Sequence, residues 1–210
     1  MADFEPLNIP QDGYDAVIFD LDGTLVDSMG VHFTAWCEAL AKHGSANVFP
    51  EDIFYAMGGR PTKDIVRELN GELGLKLDPE LVAVDKRNAF LKNIDQVVIN
   101  EEVANFARSL RGKMPLAIAT GGTRIVAEKT LQACGLSDLF DEVVTANDVE
   151  CGKPAPDIFL EAASRIEIAP ARCLVFEDAP AGIMAAQSAG MEVVCVPTPV
   201  RGGITRRRPQ

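Results

Sequence analysis

The run Asp15-Ala16-Val17-Ile18-Phe19-Asp20-Leu21-Asp22-Gly23-Thr24 decides the reading of this chain. Its apolar centre suits a buried strand, and it ends by delivering two aspartates one residue apart. Side chains alternate between the faces of a strand, so Asp20 and Asp22 are expected to point the same way. In open parallel sheets the carboxyl ends of the strands form the reaction crevice, which is where this pair would stand. Gly23 permits a tight turn directly behind it. Two neighbouring carboxylates repel, which raises one pKa unless a cation lies between them. The pair therefore calls for a divalent metal, a proton-sharing acid/base couple, or both. Such a turn can also merely cap a strand. A calcium loop of the EF-hand type fails, because the twelfth loop position, which needs a glutamate, falls on Val31.

Outward from this strand the chain divides into two kinds of sequence. From about residue 95 onward, Pro115–Ala119, Glu142–Thr145, Cys173–Phe176 and Glu192–Val196 read as buried strands. Between them, Ile125–Cys134, Asp157–Ile166 and Ala181–Ala189 carry helical apolar spacing, with Gly135 and Gly190 placed as C-terminal caps. Strand-helix alternation predicts an α/β fold, a Rossmann-like parallel sheet with helices on both faces. From Ser28 to Ile94 the pattern is helical instead, over Val31–Lys42, Glu51–Met57, Thr62–Leu73 and Pro79–Leu91. The expected organisation is a catalytic core over residues 1–27 and 95–210, with residues 28–94 inserted as a helical cap over the crevice.

At 210 residues and 47% hydrophobic, the chain can bury a large core with a smaller insert. A net charge of −11 repels nucleic-acid phosphates and anionic membrane surfaces, so neither is an expected partner. The basic tail, Arg201 to Arg208, reads as a solvated end. Met1 to Glu5 lacks the regions of a signal peptide, and no apolar run reaches the ~20 residues of a membrane span. Cys37, Cys134, Cys151, Cys173 and Cys195 are odd in number and form no Cys-x-x-Cys, which argues for a reducing compartment. A cytoplasmic monomer or homodimer is expected.

Three later strands also end in chemistry-bearing residues. Thr120-Gly121-Gly122-Thr123 offers a hydroxyl and backbone N–H groups ahead of a helix, an arrangement suited to anions. Cys151-Gly152-Lys153-Pro154-Ala155-Pro156 places one lysine in a loop stiffened by two prolines, where its ammonium can neutralise a phosphoryl group. Glu177-Asp178 supplies hard oxygen ligands of the kind magnesium prefers. Each has a plain alternative as a strand end, a surface lysine or a helix cap.

In combination and order, these four sites resemble the motif set of the haloacid dehalogenase-like hydrolases. Asp20-Leu21-Asp22-Gly23-Thr24 is similar to the first motif, Thr120 to the second, Lys153 to the third and Glu177-Asp178 to the fourth. The resemblance implies that Asp20 is the nucleophile, forming an aspartyl-phosphate, and that Asp22 is the general acid/base. It implies phosphate binding by Thr120, Gly121 and Lys153. It also implies Mg2+ held by Asp20, the Asp22 carbonyl and Asp178, with Glu177 acting through water. The second aspartate points to phosphate rather than dehalogenase chemistry.

Ser28, His32 and Trp36 are spaced as at the cap entry of β-phosphoglucomutase and the fructose-1-phosphate phosphatases. His32 and Trp36 are four apart and share a helix face. The implied role of His32 is to report cap closure to Asp22, with Ser28 nearby. Gly58-Gly59-Arg60-Pro61-Thr62 resembles the loop that lies over the substrate, where Arg60 would bind an anionic or hydroxyl-rich part; Lys86 and Arg87 are open candidates. The mutase arginine would fall near Pro61, its Lys-Asn pair is replaced by Thr123-Arg124, and Gly-Arg-Pro-Thr is closer to the Gly-Ser-Pro-Thr of sugar phosphatases. The expected activity is a magnesium-dependent phosphatase of a small sugar phosphate, fructose 1-phosphate-like. A β-phosphoglucomutase is the alternative, and a phosphoaspartate receiver domain, which lacks the helical insert and the second carboxylate, a remoter one.

Overall fold

The structure is a computed structural model that describes residues 7–197; the Met1 to Glu5 segment and the basic tail lie outside the described residues. Five strands, β1 (Ala16–Phe19), β4 (Leu116–Thr120), β5 (Glu142–Thr145), β6 (Cys173–Glu177) and β7 (Glu192–Cys195), form one parallel sheet. Its order is β5-β4-β1-β6-β7, so the chain works outward from β1 first to one edge and then to the other. This brings the carboxyl ends of β1, β4 and β6 side by side, with β1 between its two partners.

Alternation along these strands sorts the core into two layers. Val17 and Phe19 of β1, Leu116 and Ile118 of β4, and Leu174 and Phe176 of β6 pack with α5 (Glu101–Leu110) and α6 (Arg124–Ala133). The Phe19 and Phe176 rings stack there at 5.0 Å. Ala16, Ile18, Ala117 and Ala119 face α7 (Asp157–Arg165) and α8 (Pro180–Ser188), whose own alanines let the helices approach closely. The expected α/β architecture with helices on both faces is therefore present. Gly135 and Gly190 take positive φ of 65° and 75°, as helix-terminating glycines do.

A helix and a short ribbon are among the elements that escape the sequence reading. Helix α5 falls in a stretch left without an assigned element, although Val103, Ala104 and Ala107 recur at helical spacing and are all buried. A short antiparallel ribbon, β2 (Val26–Asp27) with β3 (Val98–Ile99), ties the entry and exit of the helical insert together. Two-residue strands carry no periodicity to detect.

The insert comprises α1 (Met29–Lys42), α2 (Glu51–Ala56), α3 (Thr62–Leu73) and α4 (Pro79–Lys92). Its residues Met29, Trp36, Leu40, Phe54, Val66 and Val82 form an apolar cluster separate from the two sheet layers. Helix α4 begins where Asp78 accepts the N–H groups of Glu80 and Leu81, with Pro79 preset for the first turn.

Candidate active site

Regular strand geometry in β1 ends at Phe19, although Asp20 still donates its N–H to the Phe176 carbonyl. The turn after the strand, rather than strand alternation, therefore orients Asp20 and Asp22. Gly23 sits there with φ 93°, and a Cβ on it would overlap the Asp178 carboxylate. Only a glycine lets β1 and β6 bring these motif loops so close.

Lys153 is fully buried at the centre of this crevice. Its Nζ donates to Asp20 Oδ1 at 2.6 Å, to Glu177 Oε1 at 2.7 Å and to the Ala119 carbonyl at 3.1 Å. Burial works against its charge, but Asp20 and Glu177 more than offset this and raise its pKa, so the side chain is an ammonium. Glu177 accepts the Ala179 N–H on Oε2 at 2.6 Å, so each of its oxygens already receives a protein donor. Thr120 is buried at the end of β4, and its Oγ1 accepts the Gly122 N–H at 3.0 Å. A Cβ on Gly122 would lie 3.3 Å from that Oγ1 and 3.6 Å from Asp22 Oδ2, so the two polar groups flank the same glycine.

Asp20, Glu177 and Asp178 offer oxygens within 4.8 Å of one another. Burial pushes Asp20 well above the usual carboxylate range; Lys153 opposes this, while Glu177 and Asp178 add to it. One ammonium among three carboxylates leaves the cluster short of positive charge, and its donors are all hard oxygens. The residues thus fit a small divalent cation such as Mg2+. Asp22 stands outside this carboxylate cluster.

Asp22 is compensated from the other side. Its Oδ1 accepts Ser28 Oγ at 2.6 Å and His32 Nε2 at 2.9 Å. His32 Nδ1 in turn faces Lys86 Nζ at 2.9 Å, and an ammonium there makes Nδ1 the acceptor and leaves the ring proton on Nε2, facing Asp22. Burial raises the Asp22 pKa, but His32, Ser28 and Lys86 together hold it down at about 2. Burial and Lys86 lower His32, and burial brings Lys86 down to about 8. The His32 ring stacks on Phe90 of α4 at 4.0 Å. Lys86, left open by the sequence, is thus a half-buried cation that the insert sets against His32. A signal existed in its four-residue spacing to Phe90, matching that of His32 to Trp36, but a lysine flanked by Asp85 and Arg87 reads as solvated.

Trp36 sits in the apolar core of the insert, edge-on to Phe49 at 5.2 Å. The loop between α2 and α3 presses on the core. A Cβ on Gly121 would collide with the Gly59 carbonyl, and one on Gly152 would lie 2.7 Å from Pro61. A Cβ on Gly59 would lie 3.7 Å from the Lys153 side chain and 3.5 Å from Ala179. Arg60 is half-buried and ion-paired with Glu68 of α3. The structure thus brings Asp20, Thr120, Lys153, Glu177 and Asp178 to one sheet end, with Asp22, Ser28 and His32 beside them. Gly59 lies on top, and Trp36 is directed into the insert.

The chain as a whole is similar to known proteins. The chain is 37% identical over 183 residues to the fructose-1-phosphate phosphatase YqaB of Escherichia coli (strain K12), covering 87% of this chain and 96% of the relative. It is 33% identical to hexitol phosphatase A of the same organism, over 87% and 82% of the two chains. A solved hydrolase from Pseudomonas syringae superposes with a TM-score of 0.80 at 28% identity, covering 88% and 85%. The family model of the haloacid dehalogenase-like hydrolases matches residues 14–190, and with the motif residues gathered at one sheet end, the chain belongs to that family.

Proposed function

We propose that this protein is a phosphoric monoester hydrolase that cleaves a small sugar phosphate, fructose 1-phosphate-like, with Mg2+ and through an aspartyl-phosphate. The observation that carries this reading is the buried Lys153 ammonium on Asp20, since a phosphoryl anion arriving beside a carboxylate needs fixed positive charge. The phosphatase names of the relatives support the reaction class.

In this reading Asp20 attacks phosphorus in line while the bond to the sugar oxygen breaks. Lys153, Thr120 and the Gly121 N–H hold the phosphoryl oxygens. Asp22 donates a proton to the leaving oxygen and later accepts one from the water that cleaves the acyl phosphate. Its pKa of about 2 keeps it ionised and able to receive the proton of the second task, and the charge of a phosphoryl group beside it raises it toward the first. Asp20 and Asp178, with the Asp22 carbonyl, would hold Mg2+. The ion would offset the repulsion between nucleophile and phosphate. Glu177 serves mainly by fixing Lys153.

Residues 28–94 act as a cap whose Gly58-to-Pro61 loop excludes water, and Arg60 meets the hydroxyl-rich part of the substrate. The setting is cytoplasmic, in keeping with five free cysteines; no helix among the described residues is long and apolar enough to cross a membrane. Arg124, of the pair that replaces the mutase Lys-Asn, is committed to Asp148 at 2.8 Å and to the Val143 carbonyl at 3.0 Å, which supports hydrolysis over a mutase. Phosphate release from a panel of ketose and hexose phosphates tests the proposal. Turnover of one or a few of them without a bisphosphate primer is expected, with activity lost on chelation and at least ~10³-fold lower in Asp20→Asn. Near-normal turnover by that variant would remove the nucleophile.

A further inference from the structure

Asn100 is the first residue after β3 and occupies the N-cap position of α5. An asparagine there ordinarily accepts an N–H from the first turn of its own helix, which contributes about 1 kcal/mol. This one makes no such bond. Its Nδ2 donates instead to the Thr24 carbonyl at 3.0 Å, and its backbone N–H donates to the Leu25 carbonyl at 3.0 Å. Both bonds cross from the strand by which the insert rejoins the core to the turn that follows β1. Thr24 is fully buried, and its Oγ1 donates to Asp178 Oδ1 at 2.9 Å.

Two successive hydrogen bonds therefore run from Asn100 through Thr24 to one carboxylate of the Asp20–Glu177–Asp178 cluster. The first fixes the peptide between Thr24 and Leu25, and the second holds Asp178 by its Oδ1. Gly23, on the neighbouring peptide, closes the remaining space around the carboxylate. Asn100 is not itself one of the cluster's ligands, so its influence must pass through this geometry. Partners that orient a metal ligand from behind tune affinity strongly in general.

We propose that Asn100 is a positioning residue of the metal site, fixing Thr24 and through it aiming Asp178. The inference rests on the Mg2+ reading given under Proposed function. It also makes the return strand of the insert and the aim of a metal ligand depend on the same side chain.

The test is Mg2+ binding to the full-length protein without substrate, measured by titration calorimetry alongside thermal unfolding. Asn100→Ser keeps a residue favoured at an N-cap but is too short to reach Thr24. It should bind Mg2+ about 3- to 10-fold more weakly with little loss of thermal stability, and Thr24→Val about 10-fold more weakly. The double variant should bind no more weakly than Thr24→Val alone, because both changes cut one path. Asn100→Asp keeps shape and capping capacity and loses only the donor. Its added negative charge would by itself tighten cation binding, so weaker binding reports lost positioning. Affinity within twofold of wild type in both Asn100 variants, with binding abolished in Asp178→Asn, overturns the role of Asn100 and leaves the metal reading standing. Additive losses overturn the path through Thr24. Undiminished Mg2+ binding by Asp178→Asn overturns the metal reading and this inference with it.

Discussion

Asp20 and Asp22 are one residue apart and live in opposite electrostatic settings. Asp20 faces the sheet end, where burial and two further carboxylates push its pKa up and Lys153 is the ammonium that opposes them. Asp22 faces the insert, where Ser28, His32 and Lys86 overcome burial and hold it at about 2. Environments that drive two carboxyl groups apart separate their tasks. Compensation for Asp20 comes from the core loops and whatever cation joins them. Compensation for Asp22 is delivered by helices α1 and α4 of the insert. One carboxylate is thus set by the loops at the sheet end and the other by the packing of α1 and α4 against it.

The harshest break on the first side is Lys153→Met. It leaves Asp20 and Glu177 buried without their shared ammonium, and uncompensated buried charge costs about 3–5 kcal/mol. Urea denaturation at neutral pH should show that loss, and phosphate release should be undetectable. Added Mg2+ should recover part of the stability and none of the activity. Unchanged stability would mean that the carboxylates are not ionised together.

The next break separates the insert from the crevice. Gly121→Ala places a methyl group against the Gly59 carbonyl, so the Gly58-to-Pro61 loop cannot seat as it does here. A fall in kcat/KM of about 10²-fold is expected from this misplacement. Unfolding should change by no more than about 1 kcal/mol, because the apolar clusters of core and insert are untouched. Gly71→Ala is the control: it lies in α3 with open space around it, and it should gain about 0.5–1 kcal/mol and keep full activity.

The two sides differ equally in how far the sequence discloses them. Asp20, Thr120 and Glu177 each follow directly on an apolar run, so the parallel-sheet reading already gathers them at one end. The seven helices read from apolar spacing lie within two residues of their observed ends, as α3 does over Thr62–Leu73. The insert side depends on tertiary packing. Lys86 meets His32 across 54 residues, and nothing in Asp85-Lys86-Arg87 distinguishes the lysine that turns inward. Trp36 shares a helix face with His32, yet one ring lines the path to Asp22 and the other fills the insert's core. The β2–β3 ribbon is set by pairing across the whole insert, and no local pattern marks it.

A milder perturbation titrates the insert side. Lys86 has a pKa of about 8 in the folded protein and about 10.5 when exposed, because burial disfavours its charge. Between those values the unfolded chain binds more protons than the folded one, so this group makes stability rise with pH over that window. Lys86→Met removes the contribution. The stability difference between variant and wild type should favour the variant at pH 7.5 and shrink by pH 10, read from urea midpoints. The variant should also lose about 10-fold in kcat at pH 7, since His32 is no longer held with its proton toward Asp22. A pH-independent stability difference would place the Lys86 amine in water.

The smallest effect concerns Arg60, whose guanidinium is paired with Glu68 while the glycine before it and the proline after it pack closely on Gly121 and Gly152. A half-exposed ion pair contributes under about 1 kcal/mol, so Glu68→Gln should barely move stability. It frees the guanidinium, however. If Arg60 meets the hydroxyl-rich end of the substrate, Arg60→Ala should raise KM several-fold with kcat within twofold, and Glu68→Gln should lower KM or leave it unchanged. That split is expected of a contact made equally in ground and transition states. Were both variants instead to lower kcat alone, the pair would act by holding the loop seated on the core, and specificity would have to lie elsewhere on the insert.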